Sequence, residues 1–391
     1  MWTPAFVVIT LAGLAYFTAL GALLPVLPHF VEDELGGSGF AIGLAVGAFS
    51  VSAALLRPAV GRLGDLRGRR LLVVGGGLVV AASIAGYALA SNLVVLVVLR
   101  LLTGAGEAAF FVGAATAVQD LAPPERRGEA ASFFSVSLYG GLAIGPPFGE
   151  YVSHHLGWHQ TWFIIAACAA VAPLVGKWVP SSVEGDVPTR RGFLHTAAIG
   201  PGVVLVLAMM GFAAFGTFVP TWTDHLDLHG SGGVFGLYAV IILLVRLVGA
   251  KVPDRFGPLA TSVASLFALV AGLTVMTSWP APAGLYAGTA VFSVGMSLLF
   301  PALFLQVMRD APDEERSHAV GTFSLFFDLS QGLGAPLLGV LVSVADERAA
   351  FGAAAVLCTV GLVVLASRRA QFREPVALVH DTDAALLAEP H

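Results

Sequence analysis

Apolar positions in this chain come in long, nearly unbroken runs, separated by short polar breaks. The runs lie at approximately 4–30, 39–63, 71–91, 93–120, 128–155, 160–179, 196–222, 232–252, 258–279, 282–309, 316–345 and 347–367. A helix crossing about 30 Å of hydrocarbon needs roughly 20 apolar residues, and each run is of that order. The strands of a membrane barrel would instead alternate in segments of about ten residues, and these runs do not. No positive charge precedes the first run, Pro4 to Phe30. It is far longer than the roughly 7–15 residues of a signal h-region, so it reads as a retained helix. The pattern predicts an all-α integral membrane protein of twelve transmembrane helices.

The polar breaks alternate in character. Arg62, Arg67, Arg69 and Arg70 lie between runs 2 and 3, and Arg126 and Arg127 between 4 and 5. Arg190 and Arg191 follow run 6, Lys251 and Arg255 follow run 8, and Arg309 and Arg316 flank the break after run 10. Arg368, Arg369 and Arg373 come after run 12. The opposite breaks hold Arg348, but otherwise Glu32, Asp33, Glu34, His154, His155, His159, Asp224 and Asp227. Cytoplasmic loops are the ones rich in Lys and Arg. This asymmetry predicts a multi-pass protein of the cell membrane with both termini in the cytoplasm.

Composition agrees. Of 391 residues, 57% are hydrophobic and 12% charged, against roughly 25% charged in a soluble domain. The lipid bilayer therefore serves as the apolar solvent. A formal charge of -5 gives no reason to expect a nucleic-acid partner. Cys168 and Cys358 each lie inside an apolar run, which argues against a disulfide framework and for two small buried hydrophobes. Glycine clusters such as "GGLAIG" fall within apolar runs, outside the strand–turn–helix setting of a nucleotide site. No H-E-x-x-H or similar set occurs, so neither a cofactor nor a metal is expected.

The two halves resemble each other at an offset near 190 residues. Arg57, Gly61, Asp65 and Gly68 are answered by Arg246, Gly249, Asp254 and Gly257. "ERRGEAASFF" followed by Gly145-Pro146 and Gly149 is answered by "EERSHAVGTF" followed by Ala335-Pro336 and Gly339. Even Cys168 and Cys358 stand 190 apart. The expected division is an N-terminal six-helix bundle (1–179), a cytoplasmic linker (180–195), a pseudo-symmetric C-terminal bundle (196–367) and a tail (368–391). Duplication of this kind puts the binding site between the halves at mid-membrane.

The first basic break reads "GRLGDLRGRR". It resembles the signature of the major facilitator superfamily, and the likeness covers nearly the whole chain. Gly61 and Gly68 permit a tight turn. Asp65 is suited to cap a neighbouring helix and to pair with arginine, closing the cytoplasmic side as a latch with Arg69 and Arg70. The second copy keeps Asp254 and Arg255. In run 5, Gly141, Gly145 and Gly149 recur every fourth residue beside Pro146, giving a bare face for backbone-to-backbone packing. That motif, and "LGALLPVLP" with Pro25 and Pro28 ending run 1, resemble the drug:proton antiporter branch. Glu150 stands where that branch has its last glycine. Several multidrug members carry an acid in helix 1. Run 1 has none, which argues against broad cation efflux.

Charges inside apolar runs are the candidates for chemistry, because each costs about 2.5–3.5 kcal/mol at the bilayer centre. Glu107 and Asp328 are the deepest acids and the leading proton-coupling candidates, with Glu150 third. Arg100 shares a helix face with Glu107, roughly 10 Å away along the axis, and is expected to hold it ionised directly or through water. Tyr16, Tyr139, Thr217 and Gln331 join Arg100 as cavity candidates. Arg57 and Arg246 are expected to snorkel toward the cytoplasm or pair with Asp65 and Asp254. The resulting expectation is a monomeric transporter that exchanges protons for a small amphipathic or apolar compound by alternating access. Uptake of a sugar or other metabolite is the alternative, with a membrane enzyme or a non-transporting receptor ranked lower.

Overall fold

The computed structural model describes residues 3–123, 127–175, 178–179, 194–249, 252–311 and 316–367. Among these residues every regular element is helical. The helices are α1 (Pro4–His29), α2 (Gly39–Arg67), α3 (Arg69–Gly86), α4 (Leu93–Asp120), α5 (Arg127–Leu156) and α6 (Trp158–Leu174). They continue as α7 (Thr196–His225), α8 (Gly232–Gly249), the short α9 (Val252–Phe256), α10 (Pro258–Ser278), α11 (Pro282–Asp310), α12 (Arg316–Val344) and α13 (Glu347–Ser367). The reason is the solvent. With no water in hydrocarbon, each backbone N–H and C=O must be satisfied within its own segment, and a helix does this without a partner.

Nine helices among the described residues are long and apolar enough to cross a membrane. The sequence runs predicted twelve spans. The helical stretches Trp158–Leu174 and Gly232–Val248 are apolar but shorter. Helix α5 is diluted by its glycines, its two prolines and Glu150.

Helix α1 starts where Thr3 accepts a bond from the Phe6 amide at 3.3 Å and Pro4 takes the first position. Pro25 and Pro28 do not end it, contrary to expectation. The helix runs on to His29 and then widens into a π turn, Phe30–Glu34. Two missing proline N–H groups loosen this stretch, and the His29 side chain bonds back onto it, Nδ1 to the carbonyl of Pro25 at 2.7 Å.

The repeat is visible in the turns. Gly68 joins α2 to α3 at φ 89, ψ 156, and Gly257 precedes α10 at φ 82, ψ 155. Both sit in backbone space that a side chain disfavours, so the shared glycines encode the same hairpin twice.

Within the first six helices, α1 packs on α5 and α6, and α3 and α2 pack on α4. Within the later ones, α12 and α13 pack on α7, and α10 packs on α11. Three main seams join the two sets: α2 with α12, α5 with α8, and α1 with α7. The first seam is built on glycine. A Cβ at Gly47 would lie 2.6 Å from the carbonyl oxygen of Gly332, and one at Gly43 would collide with that of Ala335.

Candidate functional site

Helices α2, α4 and α12 bring three charges together near the middle of their lengths. The carboxylate of Glu107 lies 3.5 Å from Nη2 of Arg57, and that of Asp328 lies 3.1 Å from Nη1. Both acids are buried. The guanidinium also sits over the ring of Phe111, 5.2 Å from its centroid. Arg57 accepts this position because α2 is locked against α12 by the glycine contacts at Gly47 and Gly43, about three and four turns before it. The Arg57–Glu107 pair lies within the first set of helices, whereas the Arg57–Asp328 pair crosses between the sets.

This overturns two expectations. Arg57 does not snorkel, and its carboxylate partners are Glu107 and Asp328. Arg100 does not hold Glu107. Its Nε donates to the carbonyl of Ala45 at 2.9 Å, its Nη groups reach Val46 O and the Tyr87 hydroxyl at 3.5 Å, and it stacks over Phe49. The backbone of α2 supplies acceptors that Glu107, two turns along α4, is too distant to rival. The sequence did carry one signal for Arg57. It lies eight residues before Asp65, or about 12 Å inside the helix, deep for a purely interfacial residue.

The remaining candidates scatter. Glu150 lies away from the other two acids, where α5 meets the start of α8. One carboxylate oxygen accepts from the amide and hydroxyl of Ser231, both at 2.5 Å, and the other from the amide of Gly232 at 2.9 Å. Tyr16 is fully buried and stacked on Phe110 at 3.7 Å. Thr217 is buried in α7. Gln331 donates to the carbonyl of Met209 at 3.1 Å. Tyr139 receives Arg246, whose Nη2 donates to its hydroxyl at 2.7 Å. Arg246 thus points at α5 rather than toward Asp254.

Gly141, Gly145 and Gly149 do make a bare face, and α1 covers it. Added Cβ atoms would lie 2.5–2.6 Å from backbone atoms of Phe17, Gly21 and Ala22. Pro146 stays within α5. In the expected latch, Gly61 is open, Arg70 and Arg255 are exposed, and Arg69 lies 3.6 Å from Asp120. The side chains of Asp65 and Asp254 fall outside the described residues.

The seams seal one end. His29 pairs with Asp224 at 2.8 Å between α1 and α7, and the Phe40 amide bonds Ser343 Oγ at 2.9 Å between α2 and α12. Glu150 closes the third seam. All three contacts lie at the end that carries the acidic and histidine-rich breaks.

The Major Facilitator Superfamily model matches residues 9–334 and 202–384. An uncharacterized MFS-type transporter of Salmonella typhimurium is 30% identical over 364 residues, covering 89% of this chain and 92% of that protein. A peptide transporter solved with sulfate superposes with a TM-score of 0.79 at 15% identity, covering 94% of this chain and 95% of the other. A bacterial homologue of the lysosomal transporter Spinster, in an inward-facing and occupied conformation, superposes with a TM-score of 0.75 at 14% identity, covering 95% and 98%.

Proposed function

The chain belongs to the major facilitator superfamily, and we propose that it exports a small amphipathic compound in exchange for protons. The observation that carries the coupling is the triad of Arg57, Glu107 and Asp328. One cation offsets one carboxylate. Ionising both acids leaves a net negative charge in apolar surroundings, which is costly. The two acids share that one cation, so their hold on a proton is a property of the pair and depends on how well Arg57 serves both. Alternating access moves α12 relative to α2 and α4, so it strains the Arg57–Asp328 pair and spares the Arg57–Glu107 pair. Asp328, on losing Arg57, takes up a proton, and it releases that proton when the pair re-forms.

Export is favoured by the glycine face of α5, Gly141, Gly145 and Gly149 with Pro146, which resembles the antiporter branch. The protein works as a monomer in the cell membrane, with residues 1–179 and 196–367 as two bundles; most of the cytoplasmic linker expected at 180–195, residues 180–193, lies outside the described residues. With the basic breaks in the cytoplasm, the sealed end faces outward, the end that is closed in an inward-facing state. Asp65, with its arginine neighbours, latches the cytoplasmic side in the opposite state. The test is a substrate screen in proteoliposomes under an imposed proton gradient. Export predicts that substrate moves against the proton flux and that a protonophore abolishes accumulation. Gradient-driven uptake together with protons would reverse the direction.

A further inference from the structure

The pseudo-symmetry that builds the triad builds a second arginine site, with no acid against it among the described residues. Arg57 and Arg246 are 189 residues apart, since 246 − 57 = 189. Their partners across the seams, Tyr139 and Asp328, are also 189 apart, since 328 − 139 = 189. The same offset takes Glu107 to Met296. The neighbouring Ser297 is uncharged, and its hydroxyl is spent on the carbonyl of Ile242 at 3.2 Å. Each arginine thus reaches from the second helix of its repeat to the fifth helix of the other. Where Arg57 meets a carboxylate, Arg246 meets a phenol.

Tyr139 offers one acceptor at 2.7 Å and a ring face 4.4 Å from the guanidinium carbon. Among the described residues no carboxylate lies within 4 Å of Arg246, and its buried Nε has no hydrogen-bond partner. A guanidinium has five donors and keeps its charge at any physiological pH. Held inside a membrane span and uncompensated, it is a costly group waiting for an anion. An oxyanion would take two parallel N–H donors. Two turns toward the sealed end along α8, Tyr238 stacks with Phe212 at 5.8 Å and gives an apolar wall beyond the charge.

The geometry points to Arg246 as the anchor for the acidic head of the substrate. The compound carried is then an amphipathic organic oxyanion, a carboxylate, sulfonate or phosphate on an apolar body. This rests on the transport of a small amphipathic compound, but not on proton coupling or on direction.

The test is equilibrium binding to the purified full chain in phosphatidylcholine nanodiscs at neutral pH. The probes are 2-naphthoate, 2-naphthalenesulfonate, 2-naphthamide and 2-naphthylmethylamine. At least one oxyanion should bind tenfold or more tightly than the amide and the amine. R246Q should remove that preference by weakening the oxyanions far more than the amide, and R246K should keep part of it. Should R246Q fail to fold, the charge series on the unaltered protein and R246K still decide. Equal or tighter binding of the amide or amine, absence of oxyanion binding, or an unaltered preference in R246Q would overturn the assignment. So would loss of probe binding in discs containing phosphatidylglycerol, which would give the site to an anionic lipid head. Oxyanion binding without proton-driven flux would sink the coupling proposal and leave this one standing.

Discussion

Leaving two buried carboxylates without their shared cation is expensive. Removing one partner of a buried ion pair costs about 3–5 kcal/mol, whereas neutral side chains of similar shape in place of the whole cluster cost little. Arg57→Gln is therefore expected to lower the melting temperature in detergent. The triple variant R57Q/E107Q/D328N should recover most of that loss and still fail to couple. An Arg57→Gln protein that melts with the unaltered one would mean that the triad does not hold the charges as drawn. Glu107→Gln and Asp328→Asn each fix one acid in its neutral form. Both are expected to bind substrate and perform exchange, yet fail to concentrate it against a gradient. If one of them retains full proton-driven accumulation, the proton travels on the other acid alone. The two acids were legible as charges inside apolar runs. Their partner was not, because an arginine about 12 Å before Asp65 has a side chain long enough to reach either the interface or the centre.

Two glycine faces serve different purposes at the scale of helices. On α5, Gly145 lets α1 approach until an added Cβ would lie 2.6 Å from the Ala22 amide nitrogen. That contact joins helices of one set, so rocking preserves it. On α2, Gly47 meets the carbonyl of Gly332 across a seam that must open during transport. Gly145→Ala is expected to cost about 1–3 kcal/mol through overpacking, seen as a lower melting temperature and reduced transport together. Gly47→Ala should act mainly on the sealed state, raising maleimide labelling of a cysteine introduced at the acidic end for a smaller change in melting. Equal effects of the two on labelling would remove the distinction. The spacing of four marked the α5 face in the sequence. Which helix covers it did not follow from spacing, because any helix with small residues fits such a face.

For the whole molecule, the sealed end predicts a trap. In a background where Cys168 and Cys358 are replaced by serine, a disulfide between Phe40→Cys and Ser343→Cys should form and stop transport, with reductant restoring it. Transport that continues through the cross-link would show that this seam does not open. Glu150→Gln loses the charged part of the bonds to the start of α8, where a carboxylate also suits the helix dipole. It should bias the protein by about 1–2 kcal/mol toward the outward-open state, read as increased labelling at the acidic end. The sequence by itself determined that the chain is a helical membrane protein, that its basic and acidic breaks alternate, and that its halves repeat. Those properties are local: hydrocarbon forces each apolar segment to satisfy its own backbone, whatever lies beside it. It also named Glu107, Asp328 and Arg57 as charges within apolar runs. Only the tertiary structure decided that they meet, that Arg100 is spent on carbonyls of α2, that Arg246 meets a phenol, and that the acidic end is the sealed one. Each of these depends on how far one helix is slid and turned against another. That register is fixed by glycine contacts between segments hundreds of residues apart, and no single segment encodes it.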